Sequence, residues 1–185
     1  MKRLLLGMMV IFLVTGCKCA LFKSKSSPTR AVETFLGKYQ ALDNKVLDQL
    51  DEVIFDDKLT NNQKNDYKTL MRRQYQNLTY NIKDEVIDGN NAIVTVEIEV
   101  YDFNRVEDDI DKYVEEHKEE FEDEKGDFSE EKYMDYKLGK LTDEKNRIKY
   151  TLDLRLTKDE GDNEWKLENL TDVEKQKIHG VYKGN

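Results

Sequence analysis

The chain has 185 residues, with 39 acidic and 30 basic side chains, so its formal net charge at pH 7 is −9. Proteins that bind nucleic acids need a basic surface, and this composition excludes nucleic acid as a partner. Apolar residues make up 38% of the chain and recur in periodic segments, which predicts a folded domain and not a disordered chain.

The first residues have the layout of an export signal. Lys2 and Arg3 are positively charged, Leu4 to Val14 form an uncharged segment, and two small residues precede Cys17. Eleven residues rise only about 16 Å as a helix, against about 30 Å for the hydrocarbon core of a bilayer. A permanent transmembrane span is therefore the weaker interpretation.

The segment Val14-Thr15-Gly16-Cys17, with Leu13 before it, resembles the lipobox of bacterial lipoproteins. The resemblance implies that residues 1–16 are removed and that Cys17 carries a diacylglyceryl group, which holds the protein at the extracytoplasmic face of the cell membrane. Two acyl chains suffice for stable anchoring. Removal of residues 1–16 takes away two basic residues and no acidic ones, which leaves a net charge of −11.

The second cysteine, Cys19, follows Lys18 and fits the lipobox badly. It is a spare thiol that could be acylated or paired between molecules. If Cys17 is modified, Cys19 has no partner in the chain, and the domain has no internal disulfide. Residues 17–27 are predicted to form a short polar tether.

Three helices are predicted after the tether. Ser27 and Pro28 are a favourable N-cap and first residue for the first helix, Asp43 or Asn44 can cap the second, and Thr60 with Gln63 forms a capping box for the third. Apolar residues repeat at helical spacing in all three: Val32, Phe35, Leu36, Tyr39, Leu42; Val46, Leu47, Leu50, Val53, Ile54; and Tyr67, Leu70, Met71, Tyr75, Leu78.

Two hairpins with one buried face each are predicted from alternating apolar residues. The apolar positions of the first hairpin are Leu78, Tyr80 and Ile82, then Ala92, Val94, Val96, Ile98 and Val100 after the turn at Asp88–Asn91. Those of the second are Ile148, Tyr150, Leu152, Leu154 and Leu156, then Trp165 and Leu167. A capping box at Thr171 and Glu174 predicts a short final helix with Val173, Ile178 and Val181 as its apolar contacts.

A helical insert is predicted between the hairpins, at residues 103–146. Gly126 and Asp127 interrupt it, and Ser129 can cap its second helix. The apolar face of the first helix consists of Val106, Ile110, Tyr113, Val114, His117 and Phe121. The second helix is predicted to direct inward Tyr133, Leu141 and either Tyr136 or Lys137.

The fold class is therefore α+β, with N-terminal helices packed on a curved four-stranded antiparallel sheet within a single domain, residues 28–185. The segments Ser27–Leu36 and Asn163–Leu167 are similar to the NTF2-like/cystatin-like lipoproteins of Gram-positive bacteria. That resemblance implies a cone-shaped pocket between sheet and helix, although the long insert departs from the family's compact pattern.

No catalytic or metal-ligating set stands out in the sequence. His117 falls on an apolar helical face, and His179 lies near the end of the last helix, where a cation suits the helix dipole. The acidic segment Glu107–Glu131 lacks the alternating ligands of an EF-hand loop and is interpreted as a solvated helical face. Tyr67, Tyr75, Tyr80 and Tyr150 are predicted to face the core, where they could also line a pocket.

These patterns predict a lipid-anchored, non-enzymatic binding or interaction module, with Cys17 as its one functional residue and no cofactor. Its expected partners are the membrane, through Cys17, and an envelope protein or a small ligand. The alternative is a binder of a small molecule or peptide in an NTF2-like pocket. A ketosteroid-isomerase-type enzyme is the third and least favoured hypothesis. Such an enzyme needs a buried carboxylate beside a tyrosine donor, whereas the strand carboxylates are predicted to alternate outward.

Overall fold

The computed structural model describes residues 26–53, 59–158, 161 and 163–184. These residues form six α-helices, one short 3-10 helix and four β-strands. In chain order they are α1 (Pro28–Gln40), α2 (Asn44–Val53), α3 (Asn61–Gln76), β1 (Thr79–Asp88), β2 (Asn91–Tyr101), α4 (Phe103–Glu116), the 3-10 helix (Lys118–Phe121), α5 (Glu130–Asp143), β3 (Arg147–Lys158), β4 (Trp165–Leu167) and α6 (Asp172–His179). The predicted α+β class is confirmed.

Side chains at the helix starts explain where the helices begin. The Ser27 hydroxyl accepts a hydrogen bond from the first turn of α1. Both predicted capping boxes form: Thr60 with Gln63 at α3, and Thr171 with Glu174 at α6. Each box satisfies two backbone N–H groups that the helix itself leaves without a partner.

The four strands form one open antiparallel sheet in the order β1-β2-β3-β4. β2 pairs with β3 along its whole length, from Asn91 opposite Thr157 to Tyr101 opposite Arg147. The two hairpin turns therefore lie at one end of the sheet, which we call the hairpin end. The helical insert, residues 103–146, joins β2 to β3 at the other end.

Helices cover one face of this sheet, because the central strands bury alternate residues. The buried residues of β2 and β3 are Ala92, Val94, Val96, Ile98, Val100, Tyr150, Leu152, Leu154 and Leu156. The opposite face carries polar pairs such as Glu97 with Lys149 and Thr95 with Asp153. The carboxylates of β2 and β3 alternate outward by the same register. The expectation that all strand carboxylates do so is wrong for Glu85 of β1, which lies opposite Val94 on the helix side and accepts hydrogen bonds from the N–H (2.9 Å) and hydroxyl (2.6 Å) of Thr29.

β1 departs from its predicted alternation. Leu78 is buried, whereas Tyr80 and Ile82 are only half-buried and every residue from Lys83 to Asp88 is exposed. A bulge between Ile82 and Asp84 shifts the register. Because β1 is also an edge strand with one neighbour, its last residues extend beyond the cover that the helices provide.

The insert contains the two predicted helices, α4 and α5, with one correction. Phe121 was expected on the same helical face as Val106 and Ile110, but α4 ends at Glu116 and Phe121 lies on the 3-10 helix. Phe121 is nevertheless buried, because the turn at His117 directs its ring onto Tyr136, with ring centroids 5.4 Å apart. None of the described helices has the length and apolar character needed to cross a membrane.

Candidate functional site

In the described part of the chain, the inner face of the central strand β2 is closed. Val94, Val96, Ile98 and Val100 of β2 are fully buried beneath the helices. The cone-shaped pocket that the NTF2-like resemblance implies would lie between this face and the helices, and apolar side chains fill that position. The larger cavities lie instead among the helices themselves.

The first of these, which we call the aromatic cavity, has a volume of about 630 Å³. It lies among α1, α2, α3, α6 and the segment that joins β4 to α6. Its walls combine aromatic and aliphatic side chains with a few polar ones: Phe35, Tyr39, Val46, Leu50, Tyr67, Tyr75, Leu167, Glu168, Asn169, Leu170, Lys175 and His179. The volume lies within the range of small-ligand sites in proteins.

A row of packed rings forms one wall of the aromatic cavity. The centroids of Phe35 and Tyr39 lie 5.3 Å apart, and those of Tyr39 and Tyr75 lie 5.0 Å apart, both edge-to-face. The Tyr75 hydroxyl is 3.1 Å from Nε2 of His179, a hydrogen bond that joins α3 to the end of α6. Edge-to-face packing fixes the orientations of the rings and leaves the tyrosine hydroxyl groups at the cavity surface.

His179 is held in a neutral form at pH 7. Burial of the ring, with a smaller contribution from Lys175, lowers the pKa of His179 to about 4. His179 therefore does not itself supply a cation at the end of α6, because the cost of desolvating the charged ring outweighs the helix dipole. Lys177 is the cation of the last turn. Neutral imidazole can both donate and accept a hydrogen bond.

The backbone around His179 is fixed by Gln74, whose side chain is fully buried. The Gln74 amide donates to the carbonyl oxygens of His179 (2.9 Å) and Tyr101 (3.2 Å), and its oxygen accepts from the Tyr101 N–H (2.9 Å). One side chain of α3 thus ties the end of α6 to the end of β2. Gly180, in the left-handed conformation with φ +77°, follows directly.

The tyrosines of the cavity remain protonated. Burial raises the pKa of Tyr39, Tyr67 and Tyr75, so their hydroxyls stay neutral hydrogen-bonding groups. Tyr75 and Tyr150 are buried as predicted, and Tyr80 is half-buried.

A second cavity of about 630 Å³ adjoins the first, and Tyr67 and His179 border both. Its walls are more apolar and include Leu70, Met71, Phe103, Met134, Leu138 and Leu141. An ion pair between Lys137 and Glu107, at 2.9 Å, lies at its border. Tyr67 and His179 are therefore placed where an elongated molecule could reach both cavities.

His117, the other histidine, does not join this site. It lies after α4 with its ring stacked on Tyr113, the centroids 4.0 Å apart. In the insert, Asp123 accepts hydrogen bonds from the N–H groups of Lys125 and Asp127, so its carboxylate closes a turn. No group of three His, Cys, Asp or Glu side chains within the described ranges is placed to hold a metal ion.

Among the described residues, Glu144 is the one buried carboxylate. Burial would raise its pKa, but hydrogen bonds from Asn146, Arg105 and Lys145 outweigh burial and lower the pKa below the ordinary value. The Arg105 guanidinium lies 2.8 Å from its carboxylate. Glu144 is thus ionised and fixes the junction of α5 and β3. It lines neither of the two cavities.

Cys17, Cys19 and the rest of residues 1–25 lie outside the described residues. The aromatic cavity is thus the candidate site that the structure adds to the sequence prediction. No family model, curated protein or solved structure matches the chain.

Proposed function

We propose that this protein is a bacterial lipoprotein whose folded domain acts as a binding module at the outer face of the cell membrane. The observation that carries the proposal is the order of residues at the N-terminus: two basic residues, an uncharged segment, and then Leu13-Val14-Thr15-Gly16-Cys17. Small residues before the cysteine suit a peptidase that needs close access to the backbone. The diacylglyceryl group on Cys17 then anchors the domain, through two acyl chains.

Substituting Cys17 with alanine is expected to abolish both cleavage before residue 17 and retention of the protein at the membrane. Cell fractionation and mass spectrometry of the N-terminal peptide measure the two effects. Cys19→Ala is the matched control, since it removes the neighbouring thiol and leaves the lipobox intact. A Cys17→Ala protein that is still processed and still sediments with membranes would contradict the anchor.

A second, more specific function is binding of a small molecule with both apolar and polar groups in the aromatic cavity. The ring-lined walls and the neutral His179 support this proposal. Apolar walls with a few oriented polar groups are typical of ligand sites. The expected ligand has an apolar body that packs on the rings and polar groups that pair with Glu168, Asn169, Lys175 or His179, which also line the cavity.

Filling the aromatic cavity is expected to weaken binding of the neutral dye Nile red by about tenfold, or about 1.4 kcal/mol. Leu170→Trp places a large ring at a half-buried position in the cavity wall. Val173→Trp, at a 45% exposed position of α6 that does not line the cavity, is the matched control. Fluorescence titration of the dye measures both, and equal affinities in the two variants would count against the cavity.

We also propose a relationship to the NTF2-like/cystatin-like lipoproteins. The helical start at Ser27–Leu36, the hairpin that contains Trp165, and a four-stranded antiparallel sheet with helices on one face support it. The filled inner face and the helical insert are departures from the pattern that the resemblance implies.

A further inference from the structure

The negative charge of the protein is concentrated in the insert. Residues 103–146 contain seventeen acidic and eight basic side chains, a net charge of −9, whereas the whole chain from Cys17 onwards has −11. The remainder of that chain is therefore close to neutral, at −2. The insert lies at the end of the sheet where Tyr101 pairs with Arg147, opposite the hairpin end.

The tether joins the domain at the hairpin end. The Trp165 N–H donates to the Ser26 hydroxyl at 3.3 Å, and that hydroxyl donates to the Asn163 carbonyl oxygen at 3.4 Å. Trp165 pairs with Lys158, the last residue of β3. The point where the chain enters the domain is thus fixed beside the hairpin turns.

The length of the tether limits how the domain can lie on a membrane. From Cys17 to Ser26 the chain spans at most about 32 Å when fully extended. The paired stretch of β2 alone, from Asn91 to Tyr101, is about 34 Å long. An inverted domain would place Ser26 at least that far from the bilayer, with the insert between, so the tether could not reach.

The hairpin end also presents exposed apolar side chains. Val86, Ile87 and Ile93 are 57%, 52% and 42% exposed, and they are three of the five large apolar residues exposed in the described part of the chain. Val86 pairs with Ile93 across the hairpin, and Ile87 projects from the other face of the same strand. Single exposed apolar residues are ordinary in folded proteins. A group of them beside the attachment point of a lipid tether lies where it can contact the membrane.

We propose that the domain stands on the outer leaflet on its hairpin end, with Val86, Ile87 and Ile93 against the lipid headgroups and the acidic insert pointing away. This inference rests on the proposed anchor at Cys17. The net charge of −9 on the insert favours the same orientation, because an anionic leaflet repels it, although Asp84, Glu85 and Asp88 place some acidic side chains at the hairpin end as well. The two points where the insert joins the sheet, at Tyr101 and Arg147, lie about 34 Å along β2 from the hairpin end, which is several Debye lengths.

The test uses the mature, membrane-extracted chain with Cys19→Ser, in which acylated Cys17 leaves no reactive thiol. Val86→Cys and Phe128→Cys each receive an environment-sensitive thiol dye. Phe128, in the insert, is 51% exposed and is the matched control. Vesicles contain phosphatidylcholine, a minority of phosphatidylglycerol and a headgroup-labelled nitroxide lipid. The dye at position 86 is expected to be quenched severalfold more by the nitroxide than the dye at position 128, with iodide in the buffer quenching in the reverse order.

Two results would overturn the orientation and can be told apart from failure of the anchor. If both dyes on floating, acylated protein respond equally to nitroxide, or the dye at position 128 responds more, the anchor stands and the orientation is wrong. If the extracted protein carries an unmodified Cys17 and does not float with vesicles, the anchor is wrong and the orientation is wrong with it.

Discussion

Substituting Gly180 with alanine is expected to lower the free energy of unfolding by about 3–5 kcal/mol. Gly180 ends α6 with φ +77°, a conformation that disfavours any side chain. A Cβ there would lie 2.1 Å from the Tyr101 carbonyl oxygen and 2.4 Å from Nε2 of Gln74. Both atoms belong to the buried hydrogen-bonding group that ties α3, α6 and β2 together, so relieving the overlap leaves buried polar groups without partners.

Urea denaturation followed by the fluorescence of Trp165, the one tryptophan of the chain, measures this loss. Gly139→Ala is the matched control, because Gly139 lies inside α5 with nothing within 4 Å of the added Cβ. That substitution is expected to stabilise the protein by up to about 1 kcal/mol, since alanine is the better helix former. Equal unfolding midpoints for the two variants would refute the role given to Gly180.

The sequence predicts the elements whose signals are local. The capping box of Thr171 and Glu174 spans four residues, and the alternation of Val94, Val96 and Ile98 repeats every second residue, so both can be read without knowledge of the fold. The structure also decides between the two caps considered for α2, since the Asp43 carboxylate accepts a hydrogen bond from the Lys45 N–H.

The candidate site is less predictable, because its parts are distant in sequence. Tyr75 and His179 are 104 positions apart, and no spacing rule joins them. From the sequence alone, Gln74 cannot be distinguished from an ordinary polar residue of a helix. In the structure it is fully buried and forms hydrogen bonds to two backbone segments. The apolar pattern places Tyr75 on the core face of α3, and this is the sequence signal that points to the candidate site. Which rings would face a cavity depends on how the helices pack.

The end of β1 shows a second limit of pattern reading. The bulge between Ile82 and Asp84 reverses which residues of β1 face the helices. A single inserted residue of this kind cannot be recognised from composition or periodicity. Val86 and Ile87 are β-branched residues that a pattern alone would assign to a buried strand. Their exposure follows from the position of β1 at the edge of the sheet.

Stability is expected to fall as the pH is lowered from 7 to 5, and His179 is the cause. The pKa of His179 is about 4 in the folded protein and about 6.5 in an unfolded chain. Between these values the unfolded chain binds a proton that the folded protein does not, so acid favours unfolding. The stabilisation is complete above pH 6.5 and falls by about 2 kcal/mol by pH 5, and by about 3 kcal/mol near pH 4.

Denaturant unfolding at several pH values between 7 and 5 measures this slope. His179→Gln keeps a hydrogen-bonding group near Tyr75 and removes the titrating ring, so the slope is expected to disappear in this variant. His117→Gln changes the other of the two histidines, on the insert, and is expected to keep the full slope. Glu144, whose pKa is lowered, contributes a loss of stability only below its ordinary pKa near 4.5, outside this window. If the slope persists in His179→Gln, His179 is not its cause.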